Sequence, residues 1–239
     1  MGLLDLPAPI LSTVDGWLSP FLPSAARLLV WAALGAFLSM ELYRCLSPQS
    51  RIAATKQAYE ETQRGISNFN GEFRDVCPQM LRMMSLALRR IVLVFPATIA
   101  ASLPLLVVIV WLDSQYGTTY PPPNEPVMVS VPGDFEGRWV GSNDGTPHTQ
   151  VTGPGGGPVA DIAIAKPVPV IHKRLWWNAL IGNPAGYLDD SLPFDRIDIA
   201  LPRQQVLPFG PLWLRGWEVI FFGSMIVFAL TFKSLRRIA

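Results

Sequence analysis

Charge is scarce in this chain. Of its 239 residues only 15% are Asp, Glu, Lys or Arg, well under the roughly 25% of soluble domains, while half are hydrophobic. The mean hydropathy is +0.30. A net charge of +1 leaves no field of one sign to draw nucleic acid or an acidic substrate. Cysteine and histidine number two each. His148 and His172 have no cysteine near them in the chain, so no zinc constellation is expected. Asp189, Asp190, Asp195 and Asp198 fit no EF-hand spacing, and a solvated acidic loop is the preferred reading over calcium. The run "GPGGGP" at 153–158 has no following Gly-Lys-Ser/Thr and reads as a flexible loop rather than a phosphate cradle. No Ser–His–Asp set or pair of catalytic carboxylates stands out. Enzymatic chemistry, a metal and a cofactor are therefore not expected.

What the chain has is long apolar runs. Three are near the length of about 20 residues that crosses a bilayer: "ARLLVWAALGAFLSMELY" at 26–43, the uncharged Ile91–Leu112, and "LWLRGWEVIFFGSMIVFALTF" at 212–232. Lysine and arginine placement orients them. Residues 44–90 hold eight basic and four acidic residues, 114–211 six basic and nine acidic, and the tail adds Lys233, Arg236 and Arg237. The expectation is a plasma (inner) membrane protein with its N-terminus outside and its C-terminus cytoplasmic. The segments are an extracytoplasmic interfacial stretch (1–23), a first span (24–43), a cytoplasmic helical hairpin (44–90), a second span (91–113), an extracytoplasmic domain (114–211), a third span (212–232) and a basic tail (233–239). The first residues lack a basic stretch ahead of an apolar core, so no cleavable signal peptide is expected. Trp17 and Phe21 suit headgroup depth. Cys45 and Cys77 fall on the cytoplasmic side, where reduced thiols are expected.

In the cytoplasmic segment Ile52, Thr55, Tyr59, Thr62, Ile66, Phe69, Phe73 and Val76 recur at spacings of three and four, a helical stripe. Asn70–Gly71 breaks it with a turn signal. A hairpin of about 49–67 and 72–90 is preferred over one long helix. The second arm, "PQMLRMMSLALRR", places Met80, Met83, Met84, Ala87 and Leu88 on one face. That face is either a core stripe packed on the first arm, the preferred reading, or an adaptable surface for varied partners. In the second span Pro96 and Pro104 each remove a backbone donor. Ser39, Thr98, Ser102 and Ser224 mark a mildly polar seam across the spans, more simply read as packing glue than as a pathway.

Residues 117–211 are rich in proline and glycine with short β-branched runs at 126–131, 138–141, 159–165, 167–171 and 195–201. They read as a small β-rich domain. "LWWNALIG" at 175–182 is a helical turn or an aromatic patch facing the bilayer. The fold class expected is thus an α-helical membrane protein with three spans, a helical hairpin and a β-rich domain.

The order of these parts resembles the three-helix core of the Oxa/YidC/Alb insertase superfamily, closest to archaeal YidC-like proteins and to subunit three of the ER membrane protein complex. "PQMLRMMSLALRRIVLVFPATIAASLPLLVVIVWLD" is similar to that family's methionine-rich helix leading into a proline-containing span. "RGWEVIFFGSMIVFALTFKSLRRI" is similar to its last span, and Arg27 and Arg44 resemble the arginines flanking its first. The resemblance covers about 24–116 and 212–239; residues 117–211 replace a short connection, and no charge sits at mid-membrane depth. It implies a biogenesis factor, a membrane-protein chaperone without covalent catalysis. Met80, Met83, Met84 and Leu88 would bind hydrophobic client segments, and Arg27, Ser39, Arg44, Thr98, Ser102 and Ser224 would line a groove. A structural subunit of a larger membrane complex is the alternative, and a transporter or receptor a minor one. Partners would be membrane proteins, as clients or as a resident complex, and the lipid bilayer, with no nucleic acid.

Overall fold

The computed structural model describes residues 2–69, 73–122, 125–141 and 145–236. The chain divides into two compact units, Met1–Leu29 with Leu106–Phe221, and Val30–Leu105 with Phe222–Ala239. Five α-helices occur among the described residues: α1 (Ala8–Leu18), α2 (Ser24–Leu46), α3 (Gln49–Ser67), α4 (Phe73–Tyr116) and α5 (Trp217–Arg236). Three of them, α2, α4 and α5, are long and apolar enough to cross a membrane.

The longest, α4, merges the second arm of the expected hairpin with the second span. It stays helical through Pro78, Pro96 and Pro104. At 1.5 Å per residue its 44 residues reach roughly 66 Å, about twice a hydrocarbon core of roughly 30 Å. The methionine segment is therefore a helical continuation of the apolar run. The Asn70–Gly71 turn signal lies outside the described residues. The third span differs from its sequence reading too: residues Leu212–Leu214 form a separate 3-10 turn, and α5 begins at Trp217 and continues to Arg236.

Within the second unit, α2 packs on α4 through small side chains. Ala32, Ala36, Ala97 and Ala101 are all buried, and the Ser39 hydroxyl donates to the Ala101 carbonyl at 2.9 Å. Small residues let two helix backbones approach closely. Phe37 meets Phe232 edge-on, centroids 5.7 Å apart, and Arg236 reaches Glu41 at 3.1 Å, joining α5 to α2. The stripe read on α3 is its sheltered face: Ile52 and Thr55 are buried, and Tyr59, Thr62 and Ile66 half-buried. A Cβ added to Gly65 would lie 3.5 Å from the Gln79 side chain, so the two arms approach there.

The first unit contains the β domain. Six strands, β1 (Met128–Ser130), β2 (Glu136–Val140), β3 (His148–Thr152), β4 (Pro158–Ala163), β5 (Val170–His172) and β6 (Arg196–Ile199), form one sheet. Its order is β4-β3-β2-β1-β6-β5, with every pairing antiparallel. Strands β1 to β4 meander, and the β5–β6 pair joins through β6 beside β1. Val131, Val151, Ile164, Ile171, Phe194, Ile197 and Ile199 form the core. The sequence reading passes over β3, "HTQVT", because Val151 is its one aliphatic residue. Its Thr149 and Val151 nonetheless alternate inward, fully buried.

Candidate functional site

On a helix advancing 100° per residue, side chains at steps of three and four fall on one face. Met80, Met84, Leu88, Ile91, Phe95, Thr98 and Ser102 follow that rule along α4 and make one continuous stripe. Met83 lies about 100° to its side and is half-buried. The stripe is not covered by α3. Met80 is 40% exposed, and Met84, Leu88, Ile91 and Phe95 lie between 58% and 61%. Of the two readings of the methionines, the packed core stripe is thus not what these side chains form.

The stripe leads into a cavity of about 410 Å³ at the basic ends of α2 and α5. Ile91, Val94, Phe95 and Thr98 of α4 form one wall, with Tyr43 of α2 and Ile52 of α3 opposite. Arg90 and Lys233 supply its charge, and among the described residues neither has an ion-pair partner. The cavity admits an apolar side chain or chain segment whose polar end meets a cation.

The hydroxyls of the expected seam are largely committed. Thr98 donates to the Val94 carbonyl at 3.0 Å, Ser102 to Ile99 at 2.8 Å and Ser39 across to α4. Back-bonding of this kind satisfies a hydroxyl inside an apolar helix and leaves its oxygen one more acceptor site. Ser224 is half-buried on α5.

The two arginines are held in separate ion pairs. Arg44 contacts Glu41, one turn back on α2, at 2.7 Å. Arg27, near the opposite end of that helix, pairs with the buried Asp15 of α1. Tyr116 donates to the same carboxylate at 2.8 Å, and its ring lies 5.6 Å from the Arg27 guanidinium. The Trp111 indole donates to Ser12 at 2.9 Å. Arg27 thus fastens α1 to α2 and α4 and does not line the cavity.

No protein-family model matches the chain, and neither does a curated protein or a solved structure. The site therefore rests on its own geometry. Sequence reasoning missed Tyr43, Phe95, Arg90 and Lys233 as cavity residues, although extending the 80–84–88 spacing forward reaches Ile91, Phe95 and Thr98. It also missed Asp15; an acid in an apolar N-terminal stretch with no basic residue before Arg27 is the available signal for a buried partner. In the β domain a second hollow, about 780 Å³, lies between Tyr120–Pro122, Glu125–Val127 and Gly137–Gly141. Among the described residues no group of three His, Cys, Asp or Glu could hold a metal ion.

Proposed function

We propose that this chain is an insertase-like membrane-protein biogenesis factor: its three apolar helices cross the membrane, and the α4 stripe receives hydrophobic client segments. The observation that carries the reading is the continuity of the exposed Met80–Met84–Leu88 face with the Ile91–Phe95–Thr98 wall of the cavity. Methionine side chains re-pack around different apolar partners, so one stripe serves many sequences. A client helix sliding along α4 moves from the methionine end into the cavity without leaving an apolar surface. An acidic flank costs about 2.5–3.5 kcal/mol at a span's centre on insertion scales; Arg90 and Lys233 offset part of that, and the acceptor oxygens of Thr98 and Ser102 serve polar donors. The orientation follows the charge rule, with the methionine end cytoplasmic.

A second reading, a structural subunit of a larger membrane complex, draws on the committed hydroxyls and paired arginines, which leave the seam with little free polarity. In that reading one resident helix covers the stripe. Site-specific photo-crosslinking in cells from Met84 and Phe95 separates the two. Adducts with many newly made membrane proteins support the biogenesis factor. Adducts with one resident protein at constant stoichiometry refute it in favour of the subunit.

A further inference from the structure

The Tyr116 end of α4 carries a different apolar surface. On α1, Ser12 and Asp15 face inward, bonded to Trp111, Arg27 and Tyr116. Ile10 and Trp17, seven residues apart, lie on the opposite face and are 69% and 71% exposed. Trp111 sits five residues before the end of α4, about 7–8 Å down the helix. Helix α1 is therefore fastened alongside the last turns of α4 rather than across its tip.

The β domain adds to this surface. The Leu4 N–H donates to the Leu180 carbonyl at 2.9 Å, and the Gly182 N–H donates to Asp5 Oδ2 at 2.7 Å. A Cβ on Gly2 would come within 2.5 Å of the Leu180 carbonyl oxygen, so only glycine permits that approach. These bonds pin the turn at Leu175–Ile181 to the residues just ahead of α1. The turn itself is locked by the buried Asn178, which accepts from the Leu175 N–H at 2.7 Å and donates to the Ile181 carbonyl at 3.1 Å. A rigid turn then presents Leu175, Trp176, Leu180 and Ile181 outward, Trp176 at 85% exposure. Leu3 and Leu6 are exposed between the two patches.

Charge points to one occupant. The two acids of residues 1–23, Asp5 and Asp15, are both drawn inward, by Gly2 and Gly182 in one case and by Arg27 and Tyr116 in the other. Residues 174–182 contain no acid and begin with the exposed Arg174, placed to meet a phosphate. Chain continuity agrees: Phe21 stands three residues before α2 and Trp213 four before α5, both strongly exposed. Tryptophan and phenylalanine at span ends are favoured at headgroup depth.

We propose that α1 and the Leu175–Ile181 turn form a single lipid-contacting surface in the headgroup–acyl boundary of the bilayer, anchoring the β domain to the membrane. This rests on the reading that α2, α4 and α5 cross the membrane. The test uses the full chain in phosphatidylcholine–phosphatidylglycerol vesicles, with Cys45→Ser and Cys77→Ser and one cysteine introduced at Ile10, Trp176, Leu180, Leu103 or Gln150 to carry an environment-sensitive fluorophore. All five side chains are exposed, so labelling leaves the packing intact. Labels at Ile10, Trp176 and Leu180 are expected to be quenched several-fold more by lipids nitroxide-labelled near the headgroup than the Gln150 label, and to be shielded from aqueous iodide. The Leu103 label reports the span itself, through lipids nitroxide-labelled near the chain end. Deep quenching at Leu103 with Trp176 and Leu180 behaving like Gln150 overturns the surface and leaves the span reading standing, and so does quenching at Ile10 alone. No quenching at Leu103 overturns both.

Discussion

Replacing Asp15 by alanine should be among the most damaging changes in this chain. Its carboxylate is buried, only 2% exposed, and takes bonds from the Arg27 guanidinium and the Tyr116 hydroxyl. Arg27 is itself largely enclosed, with 15% of its side chain exposed and an Nε that has no hydrogen-bond partner among the described residues. Removing the acid leaves that cation without its counter-charge, which costs about 3–5 kcal/mol for a buried pair. In a protein of this size roughly 2–4 °C of melting temperature accompanies each kcal/mol, so the fall is roughly 6–20 °C. Tyr116→Phe removes one hydrogen bond to a charged acceptor, about 1.5–3 kcal/mol. Asp15→Ala combined with Arg27→Leu should recover part of the loss, because no buried charge then stands alone. Thermal unfolding of the purified chain in detergent, followed by circular dichroism, reads all three. An Asp15→Ala variant melting within about 2 °C of the parent would refute the reasoning, as would a double variant less stable than the sum of its single changes.

Two further outcomes follow from local packing and charge. Ala101 is 3% exposed at the α2–α4 contact, so Ala101→Leu should overpack it and cost about 1–3 kcal/mol, read in the same melts, whereas Leu103→Ala on the exposed side should be nearly neutral. The Ser191 hydroxyl and N–H, at 2.6 and 2.9 Å, hold the Asp189 carboxyl below its usual range. Its contribution is therefore present above the ordinary carboxylate pKa of about 3.9 and fades as pH falls through the depressed value. Ser191→Ala should bring that titration up towards the ordinary range, followed by carboxyl chemical shifts.

How far the fold is legible depends on whether the signal is local. The three apolar helices and the sheltered stripe of α3 follow from residue periodicity, as do β1, β2, β4, β5 and β6 from their β-branched runs. Helix α1 does not, because "APILSTVDGWL" contains Gly16 and β-branched residues of modest helix propensity; its inward face is held by Trp111, Arg27 and Tyr116, all far along the chain. Strand β3 is equally non-local. Thr149 and Val151 count as core only once β2 and β4 pair on either side of them. The uninterrupted run of α4 through three prolines is a third case, since proline alone argues for a break.

The methionine stripe and the arginines show the same division within the candidate site. Spacing alone puts Met80, Met84 and Leu88 on one face, and the structure adds that the face is uncovered and ends in a cavity. Spacing says nothing about where Arg27 points. Its place near the end of a span fits a groove residue as well as a clamp, and only the distant Asp15 and Tyr116 decide it. Arg27 is paired with Asp15, and Arg44 shares Glu41 with Arg236, whereas the cavity's own cations, Arg90 and Lys233, have no ion-pair partner among the described residues. On the proposed reading, a polar or acidic flank of a client would be held in the cavity by these cations, with the apolar segment ahead of it lying along Phe95 towards the Thr98–Ser102 stretch. If the α4 stripe is the client path proposed above, that order, exposed methionines first, then the cavity's cations, then self-bonded hydroxyls, makes the methionine end the point of entry, and the Met84 and Phe95 crosslinks test it.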